Sequence, residues 1–292
     1  MSLNLSKLEL LLKRENYDYS VFHFKEIDST NNFAKQYMKN CSENKKFIFI
    51  ADSQTDGKGR MGRSFISPDN NGLYMTIGFP EFDFKNIHIL TVLVATAVAQ
   101  CLDELCNSDF KIKWVNDILL NGKKICGILS ESSIDAINKK INFAVVGIGI
   151  NLYGNNISPE IDDIASTVEK ETGLKIDIEK LVVNIIKWTE YYLSCLPDKS
   201  FIKKYKKKSS VIGKRIVVNN FVEEFECVAK DIDENAHLVV ENNGETFIFN
   251  SGEISIKPVW SICQILTIFS NMIQYSKKFG SGDKKIWKEL NF

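Results

Sequence analysis

Apolar and polar positions in the first two thirds of the chain follow two periods, one typical of helices and one typical of strands. Leucines recur at helical spacing within residues 2–15, and an apolar stretch at 87–106 is hydrophobic on all sides, which predicts a central buried helix. Helical spacing returns over about 177–196, and Asp28-Ser29-Thr30-Asn31 is typical of a helix N-cap. Short apolar runs predict strands at 21–27, 47–54, 72–79 and 141–152.

A turn signal divides the stretch at 110–132. Asn121-Gly122 stands between two apolar runs, and this pair favours a hairpin because it accepts the positive φ angles of a two-residue turn. In the strand that leads to the turn, alternation places Lys111, Lys113 and Val115 on one face. The lysines and the apolar residues between them are therefore expected to face opposite sides of a sheet.

The pattern changes after about residue 207. A lysine-rich stretch at 203–208, interpreted as a solvated helix end, is followed by several short strands separated by turns, which are typical of a small β-barrel-like domain. The expected fold class is α+β: a mixed sheet with helices packed on it, then the small β domain. The predicted division is residues 1–207, residues 208–257 and a C-terminal extension of helical character at 258–292.

Composition narrows the class of protein without indicating an activity. Lys plus Arg and Asp plus Glu both number 37, so no global field favours DNA or an anionic membrane, and any anion site must be local. The seven cysteines include no C-x-x-C pair, which favours reduced thiols in a cytoplasmic protein. No secretory signal is visible at the N-terminus. No metal-binding motif is visible either, because the three histidines lie far apart.

Three stretches could carry chemistry, and each has a structural alternative. Residues 57–63, Gly-Lys-Gly-Arg-Met-Gly-Arg, combine backbone N–H groups that can approach a ligand with cations that suit an anion, although a solvated basic turn has the same composition. Lys113 is either a surface lysine or a cation aimed at a negative charge. Gly147 and Gly149 either serve sheet packing or, with Asn151, approach a nucleobase.

The sequence offers no nucleophile constellation, since a G-x-S-x-G elbow is missing. The candidate chemistry is therefore positional and electrostatic, with cations and backbone amides placed around anions. Nucleotidyl transfer to a carboxylate meets this requirement, because two anions must be brought together and their repulsion cancelled.

The motifs occur together in a specific order over about residues 20–257. In this order the chain resembles the biotin–protein ligases, also called biotin–[acetyl-CoA-carboxylase] ligases. The resemblance rests on Ser29-Thr30-Asn31, Gln54, the loop at 57–63, Lys113-Trp114-Val115-Asn116-Asp117, Gly127-Ile128-Leu129, Gly147-Ile148-Gly149-Ile150-Asn151 and Ser251-Gly252-Glu253-Ile254-Ser255.

The resemblance implies a two-step reaction. Biotin and ATP, with Mg²⁺, give biotinyl-5′-AMP and pyrophosphate, and a lysine of a biotin carboxyl carrier protein then attacks the mixed anhydride and releases AMP. The implied architecture is a class II synthetase-like catalytic domain followed by an SH3-like barrel. Only about 20 residues precede the first strand, so we expect a cytoplasmic ligase without a DNA-binding repressor domain and without a membrane segment; monomer and homodimer both stay open.

The resemblance also assigns residues, with Lys113 and Arg60 as the catalytic cations and no metal ligands from the protein. The loop is expected to be poorly ordered without ligand, since its glycines and like charges cost free energy to hold in place. The implied biotin-binding residues are Ser29, Thr30, Asn31, Gln54, Lys58, Gly59, Arg60 and Lys113. The implied ATP- and adenylate-binding residues are Arg60, Arg63, Lys113, Asn116 and Asn151.

Three positions depart from the family pattern. Lys58 stands where arginine is common, Met61 replaces a frequent cation, and Val115 stands where proline is frequent. None removes a group that the reaction requires.

Two other functions are compatible with parts of the sequence. A lipoate–protein ligase shares the catalytic fold, but its typical R-R-x-x-G-G-G pattern is absent. A nucleic-acid-binding module could use the loop and the lysines at 203–208, although the zero net charge weighs against it.

Overall fold

The computed structural model describes residues 3–80, 87–135, 140–154, 163–219, 224–250 and 252–256. The C-terminal extension predicted to be helical at 258–292 lies outside the described residues.

A mixed seven-stranded sheet forms the centre of the molecule. Its strands are β1 (Tyr19–Ile27), β2 (Lys46–Gln54), β3 (Gly72–Phe79), β4 (Lys111–Lys113), β5 (Asp117–Leu120), β6 (Lys123–Asp135) and β7 (Lys140–Asn151). Their order is β1-β2-β3-β7-β6-β5-β4, and the β1–β2 pair is parallel, whereas the other neighbours are antiparallel. The tight turn between β5 and β6 has φ angles of 51° at Asn121 and 82° at Gly122, which confirms the predicted hairpin.

Helices cover both faces of this sheet. They are α1 (Leu5–Arg14), α2 (Thr30–Asn40), α3 (Ile87–Cys106), α4 (Val168–Thr172), α5 (Ile178–Ser194) and α6 (Phe201–Lys208). Alternation along β2 divides its side chains, so that Phe47 and Phe49 pack with α2 in one cluster, whereas Ile48 and Ile50 join the cluster that contains α3. The prediction of a mixed sheet with helices packed on it is confirmed.

Helix α3 is apolar on all sides because neighbours surround it. It contacts β6 and β7 of the sheet and packs against α5 and α6. Within the described ranges, it is the one helix whose length and composition would allow it to cross a membrane, and 78% of its most apolar window is buried inside the protein. The predicted bounds of 87–106 agree with the observed helix.

A second, five-stranded antiparallel sheet follows α6. Its strands are β8 (Arg215–Asn219), β9 (Glu224–Ile232), β10 (Leu238–Asn242), β11 (Glu245–Phe249) and β12 (Glu253–Ile256). Their order is β11-β10-β9-β8-β12. Its apolar face, including Ile216 and Val240, belongs to the same buried cluster as Tyr205 and α3, so the small sheet packs directly on the rest of the protein.

Two local predictions were wrong. Strand β4 ends at Lys113, and the chain turns before β5, so Val115 does not share the face of Lys111 and is buried instead. The lysine-rich stretch is amphipathic rather than wholly solvated: the Lys208 ammonium is buried, donates to the Phe110 carbonyl oxygen at 3.1 Å and pairs with Asp103. A buried lysine requires such partners. Because Asp103 on α3 and Phe110 before β4 lie about 100 residues away in sequence, the sequence pattern did not indicate them.

Candidate functional site

The first cavity lies where α2 begins and β2 ends. Ser29 is the N-cap of α2, and its Oγ accepts a hydrogen bond from the Asn32 N–H at 3.4 Å. Thr30 donates its backbone N–H to Oε1 of Gln54, the last residue of β2, at 2.8 Å. An N–H in the first helical turn has no partner within the helix, and Gln54 supplies one. The Thr30 hydroxyl also donates to Gln54 Oε1, at 3.1 Å, so residues predicted from two separate motifs are joined.

Gln54 also connects this helix end to the glycine-rich loop. Its Nε2 donates to Ser67 Oγ at 2.8 Å, which directs the amide oxygen toward α2 and the nitrogen toward the loop. The hydroxyl of Thr76, fully buried on β3, lies 2.8 Å from Thr30 Oγ1 and 2.7 Å from Asn31 Oδ1. The polar side chains thus form one continuous network, which fixes their orientations before any ligand arrives.

The loop at 57–67 folds back on itself. The Gly57 carbonyl oxygen accepts a hydrogen bond from the Phe65 N–H at 2.8 Å, and the Gly59 N–H donates to the Arg63 carbonyl oxygen at 2.7 Å. A Cβ on Gly57 would lie 2.3 Å from the Phe65 carbonyl oxygen, closer than nonbonded atoms allow. Glycine at this position is therefore required for the loop to close on the cavity.

Two of the positions that depart from the family pattern add little to the charge that this loop presents. Lys58 Nζ pairs with Asp56, the residue just before the loop, at 2.5 Å. Met61 is 54% exposed and has a φ of 61°, in the left-handed region. The cations of the loop that can serve a ligand are therefore the guanidinium groups of Arg60 and Arg63.

Arg60 ties the loop to both sheets. Its Nη1 donates to Asn116 Oδ1 at 3.2 Å, and its Nη2 donates to the Gly252 carbonyl oxygen, just before β12, at 3.1 Å. Asn116 is itself held because its Nδ2 donates to the Ile128 carbonyl oxygen at 3.1 Å. The guanidinium is thereby placed above the large sheet, with its fork partly used by neutral oxygens that an anion could replace.

Behind Arg60, the carbonyl oxygen of Ala236 in the small sheet's β9–β10 connection receives two contacts. Trp114 Nε1 donates to it at 3.0 Å, and His88 Nε2 lies 2.9 Å from it. Burial lowers the pKa of His88, and this effect is larger than the opposing effect of the hydrogen bond to the Ala236 carbonyl oxygen, which raises the pKa. His88 is therefore neutral at neutral pH and adds no charge beside Arg60.

Two glycines on neighbouring strands make room for an aromatic ring. Gly127 on β6 pairs in register with Gly149 on β7. A Cβ on Gly149 would lie 2.5 Å from the Phe65 ring, and one on Gly127 would lie 3.3 Å from it. The Phe65 ring therefore rests on bare backbone and forms one wall of the site.

Two adjoining cavities result, with volumes of about 50 Å³ and 240 Å³. The first is bounded by the polar network, the loop and the glycine-containing strands, and the second lies toward the small sheet, where Ser255 and Ile254 line it. The residues that line both are Gly59, Arg60, Phe65, Asn116 and Lys124. Cations from the loop and from β6 therefore lie at the junction.

The structure brings most of the predicted residues to these cavities. Lys113 and Arg63 line the second cavity but not the first, and Asn151, at the end of β7 opposite Gly72, lines neither. The predicted residues that line the first cavity are Ser29, Thr30, Asn31, Gln54, Lys58, Gly59, Arg60 and Asn116.

Sequence reasoning missed four contributors: Phe65, Ser67, Thr76 and Lys124. Lys124 Nζ pairs with Asp117 Oδ1 at 2.7 Å. The predicted hairpin was the signal that could have found Lys124, because a two-residue turn brings the start of β6 back beside β5. Thr76 carried no signal, since it is a single hydroxyl within an apolar strand.

The comparisons with known proteins agree with this architecture. Residues 23–151 match the model of the biotin/lipoate A/B protein ligase family. The bifunctional ligase/repressor BirA of Bacillus subtilis is 33% identical over 187 residues, which cover 63% of this chain and 57% of that protein. The biotin–[acetyl-CoA-carboxylase] ligase of Paracoccus denitrificans is 26% identical over 213 residues, covering 70% and 88%.

Among solved structures, the biotin protein ligase from Aquifex aeolicus in complex with biotin and ATP superposes with a TM-score of 0.68 at 27% identity, covering 82% of this chain and 99% of that one. The similarity to the biotin/lipoate A/B protein ligase family therefore lies in the segment at 23–151. The chain spans somewhat more than half, 57%, of the length of the Bacillus subtilis relative.

Proposed function

We propose that the protein is a biotin–protein ligase, which activates biotin with ATP to biotinyl-5′-AMP and transfers biotin to a lysine of a carboxyl carrier protein. The observation that carries this proposal is the first cavity, in which the Ser29-Thr30-Asn31 helix start, Gln54 and the cationic loop meet. The similarity of the fold to a ligase bound to biotin and ATP supports it.

In this proposal the polar network receives the ureido ring of biotin. That ring presents one C=O acceptor and two N–H donors, so it needs both kinds of partner within a few ångströms. The hydroxyls of Ser29 and Thr30 can donate, and the amide oxygen of Asn31 can accept. Because Thr76 and Gln54 already orient these groups, little rotamer freedom remains to be lost on binding.

The reacting groups would meet where the two cavities join. A carboxylate oxygen of biotin attacks the α-phosphorus of ATP, a carboxyl O–P bond forms, and the P–O bond to pyrophosphate breaks. The cations Arg60 and Lys124 line this junction, and Lys113 and Arg63 line the second cavity. Fixed positive charges around the phosphoryl group stabilise the transition state more than the separated anions.

Access to the first cavity requires the loop to move. Its volume of about 50 Å³ is far below the ~300–1,000 Å³ of pockets that enclose small molecules. Phe65 and the loop at 57–67 form the wall that can yield, since the other walls belong to the central sheet and to the start of α2, which is held by the polar network. We infer that the loop opens to admit biotin and ATP and closes over the adenylate.

Mg²⁺ would accompany ATP on its phosphates. In the described part of the chain, no group of three or more His, Cys, Asp or Glu side chains could hold a metal ion. Magnesium commonly keeps several waters and binds through substrate phosphates, so a dedicated protein site is not needed.

The proposal extends to the organisation of the protein. We assign residues 1–207 to a class II synthetase-like catalytic domain and 208–257 to an SH3-like barrel, which the five antiparallel strands support. The partner is the carrier domain of acetyl-CoA carboxylase or a similar enzyme, and a homodimer is compatible with the position of β1 at the edge of the sheet. Zero net charge supports a protein that does not bind DNA, and the six free cysteines of the described residues support a cytoplasmic location.

Transfer of radiolabelled biotin tests the function directly. The purified chain is incubated with a biotin carrier domain, with and without ATP, and the label on the carrier is counted. We expect ATP-dependent labelling of one lysine, abolished when that lysine is replaced by arginine. A folded protein that labels no carrier would overturn the proposal, and calorimetric competition that favours lipoate over biotin would replace it with lipoate ligation.

A further inference from the structure

We propose that Glu131 is a positioning residue that fixes the orientation of the Asn31 side-chain amide and thereby sets recognition of the ureido ring. The inference rests on the proposed function for its consequence. Its structural basis, the contact between a carboxylate and an amide, is independent of the ligand.

Glu131 stands between two residues of α2. Its Oε2 accepts a hydrogen bond from Asn31 Nδ2 at 2.9 Å, and its Oε1 accepts one from Lys35 Nζ at 2.6 Å. Asn31 and Lys35 are four residues apart, on one face of the helix. On the sheet side, Glu131 lies on β6 opposite Val145 of β7. The carboxylate therefore spans one helical turn from a fixed position on the central sheet.

The chemistry of the partners determines which way the amide points. A carboxylate and a carbonyl can only accept hydrogen bonds, and Asn31 Nδ2 lies near both Glu131 and the Leu129 carbonyl oxygen, the latter at 3.2 Å. The hydroxyl of Thr76, on the other side, can donate or accept and so permits either orientation. Glu131 supplies the charged partner, and charge-assisted hydrogen bonds are stronger than neutral ones.

The orientation of the Asn31 amide determines which of its atoms faces a ligand. Asn31 is 4% exposed and lines the first cavity. A Cβ on Gly147 would lie 2.3 Å from Asn31 Oδ1, so the amide oxygen rests against bare backbone. With its nitrogen held by Glu131, Asn31 keeps Oδ1 beside Gly147, which also lines the first cavity, so the acceptor lies on the side where a ureido N–H would bind. The reversed amide would present N–H to N–H and repel the ring.

Replacing Glu131 by glutamine tests this with little change in shape. Glutamine can donate as well as accept, so position 131 no longer selects one amide orientation, and only the neutral Leu129 carbonyl oxygen still favours it. We expect Glu131→Gln to weaken biotin binding about tenfold in isothermal titration calorimetry, because one ligand hydrogen bond is lost in part of the population. Lys35→Met is the matched control: it removes the ion pair but keeps the carboxylate, and we expect less than about a twofold change.

A double-mutant cycle separates positioning from general destabilisation. If Glu131 acts through Asn31, then Asn31→Ala/Glu131→Ala binds biotin no more weakly than Asn31→Ala alone. Independent, multiplying losses would overturn the inference, as would wild-type affinity in both Glu131→Gln and Glu131→Ala. Should Glu131→Ala fail to fold, the glutamine variant combined with Asn31→Ala provides the same cycle.

The side-chain amide signals of Asn31 in nuclear magnetic resonance provide a readout without ligand. We expect slow exchange and a downfield-shifted proton in the wild type and in Lys35→Met, both lost in Glu131→Gln. Unchanged Asn31 signals in Glu131→Gln would overturn the inference. If the wild-type protein binds no biotin, the ligase proposal fails on its own, and these spectra alone decide the role of Glu131.

Discussion

Lys124 and Asp117 form an ion pair, with Nζ 2.7 Å from Oδ1, at the junction of the two cavities. The pair bridges the neighbouring strands β5 and β6, so the ammonium is held near the place where a carboxylate and a phosphate would meet. Lys113, the lysine that the sequence resemblance selected, lines only the second cavity. Lys124 is therefore better placed than Lys113 to stabilise the charge of the reacting groups.

We expect Lys124→Ala to slow adenylate formation by about a hundredfold or more, because a fixed cation at the reacting phosphate is lost. Lys113→Ala should also slow it, but less, since that side chain lies at the periphery. Pyrophosphate release in a single turnover measures both rates.

Lys123→Ala, one residue earlier on β6 and lining neither cavity, is the matched control and should react at the wild-type rate. Near-normal adenylation by Lys113→Ala would refute a catalytic role for Lys113, and a smaller defect in Lys124→Ala than in Lys113→Ala would reverse the assignment.

Arg60 is expected to retain the adenylate more than it binds biotin. Its guanidinium lies between Asn116 and the Gly252 carbonyl oxygen, neutral partners that a phosphate can displace. Arg60→Gly should speed dissociation of biotinyl-5′-AMP by about tenfold or more, while biotin affinity falls less. Arg60→Lys keeps the charge without the paired donors and should lie between. Stopped-flow dissociation and calorimetry give the two quantities, and equal losses in both would contradict the assigned partner.

Much of the fold could be predicted from local pattern. Strand β3 and helix α3 have the predicted bounds because glycines, a proline and an apolar run fix their ends and their burial. The start of α2 was also predictable, since Ser29 is an N-cap by composition and by geometry. These features depend on neighbours in sequence, where periodicity and capping are informative.

The parts of the site that were missed depend on strand register. Gly127 faces Gly149 only because β6 lies beside β7, and Phe65 occupies the space above them only because the loop folds across. No period in the sequence encodes a contact between residues so far apart. The turn after Lys113 was missed for a related reason: alternation continues through Val115 in sequence, whereas in the folded protein the strand ends at Lys113 and Trp114 donates to Ala236, 122 residues away.

The closed loop should depend on Gly57 more than on Gly59. An added Cβ would lie 2.3 Å from a backbone oxygen at Gly57 but 3.2 Å from one at Gly59. We expect Gly57→Ala to accelerate amide exchange throughout 57–67 and to weaken biotin binding, while the melting temperature changes little because the loop lies outside the core. Gly59→Ala should show the same changes at smaller size. Hydrogen–deuterium exchange with and without biotin and ATP measures this, and it also tests the expected disorder of the unliganded loop. Equal exchange in both variants would contradict the steric argument.

Asp177 gives the contact between α1 and α5 a defined pH dependence. Its carboxylate accepts from Lys7 Nζ at 2.7 Å and, as the N-cap of α5, from the Lys180 N–H at 3.0 Å. Burial alone would raise the pKa of Asp177, but these hydrogen bonds outweigh it and lower the pKa to about 2. Because the pKa of Asp177 is lower in the folded state, the ionised carboxylate stabilises the fold at pH values above its unfolded pKa, and this stabilisation is lost as the pH falls toward 2.

Asp177→Asn keeps a good N-cap and removes the charge. Since the Asp177 side chain is 34% exposed, we expect a loss of ~1 kcal/mol at pH 7, about half as large near pH 3. Urea unfolding of both proteins at several pH values measures the difference, with Lys7→Met as a control that should show the same trend. A difference that does not shrink between pH 5 and pH 3 would show that the charge is not its origin.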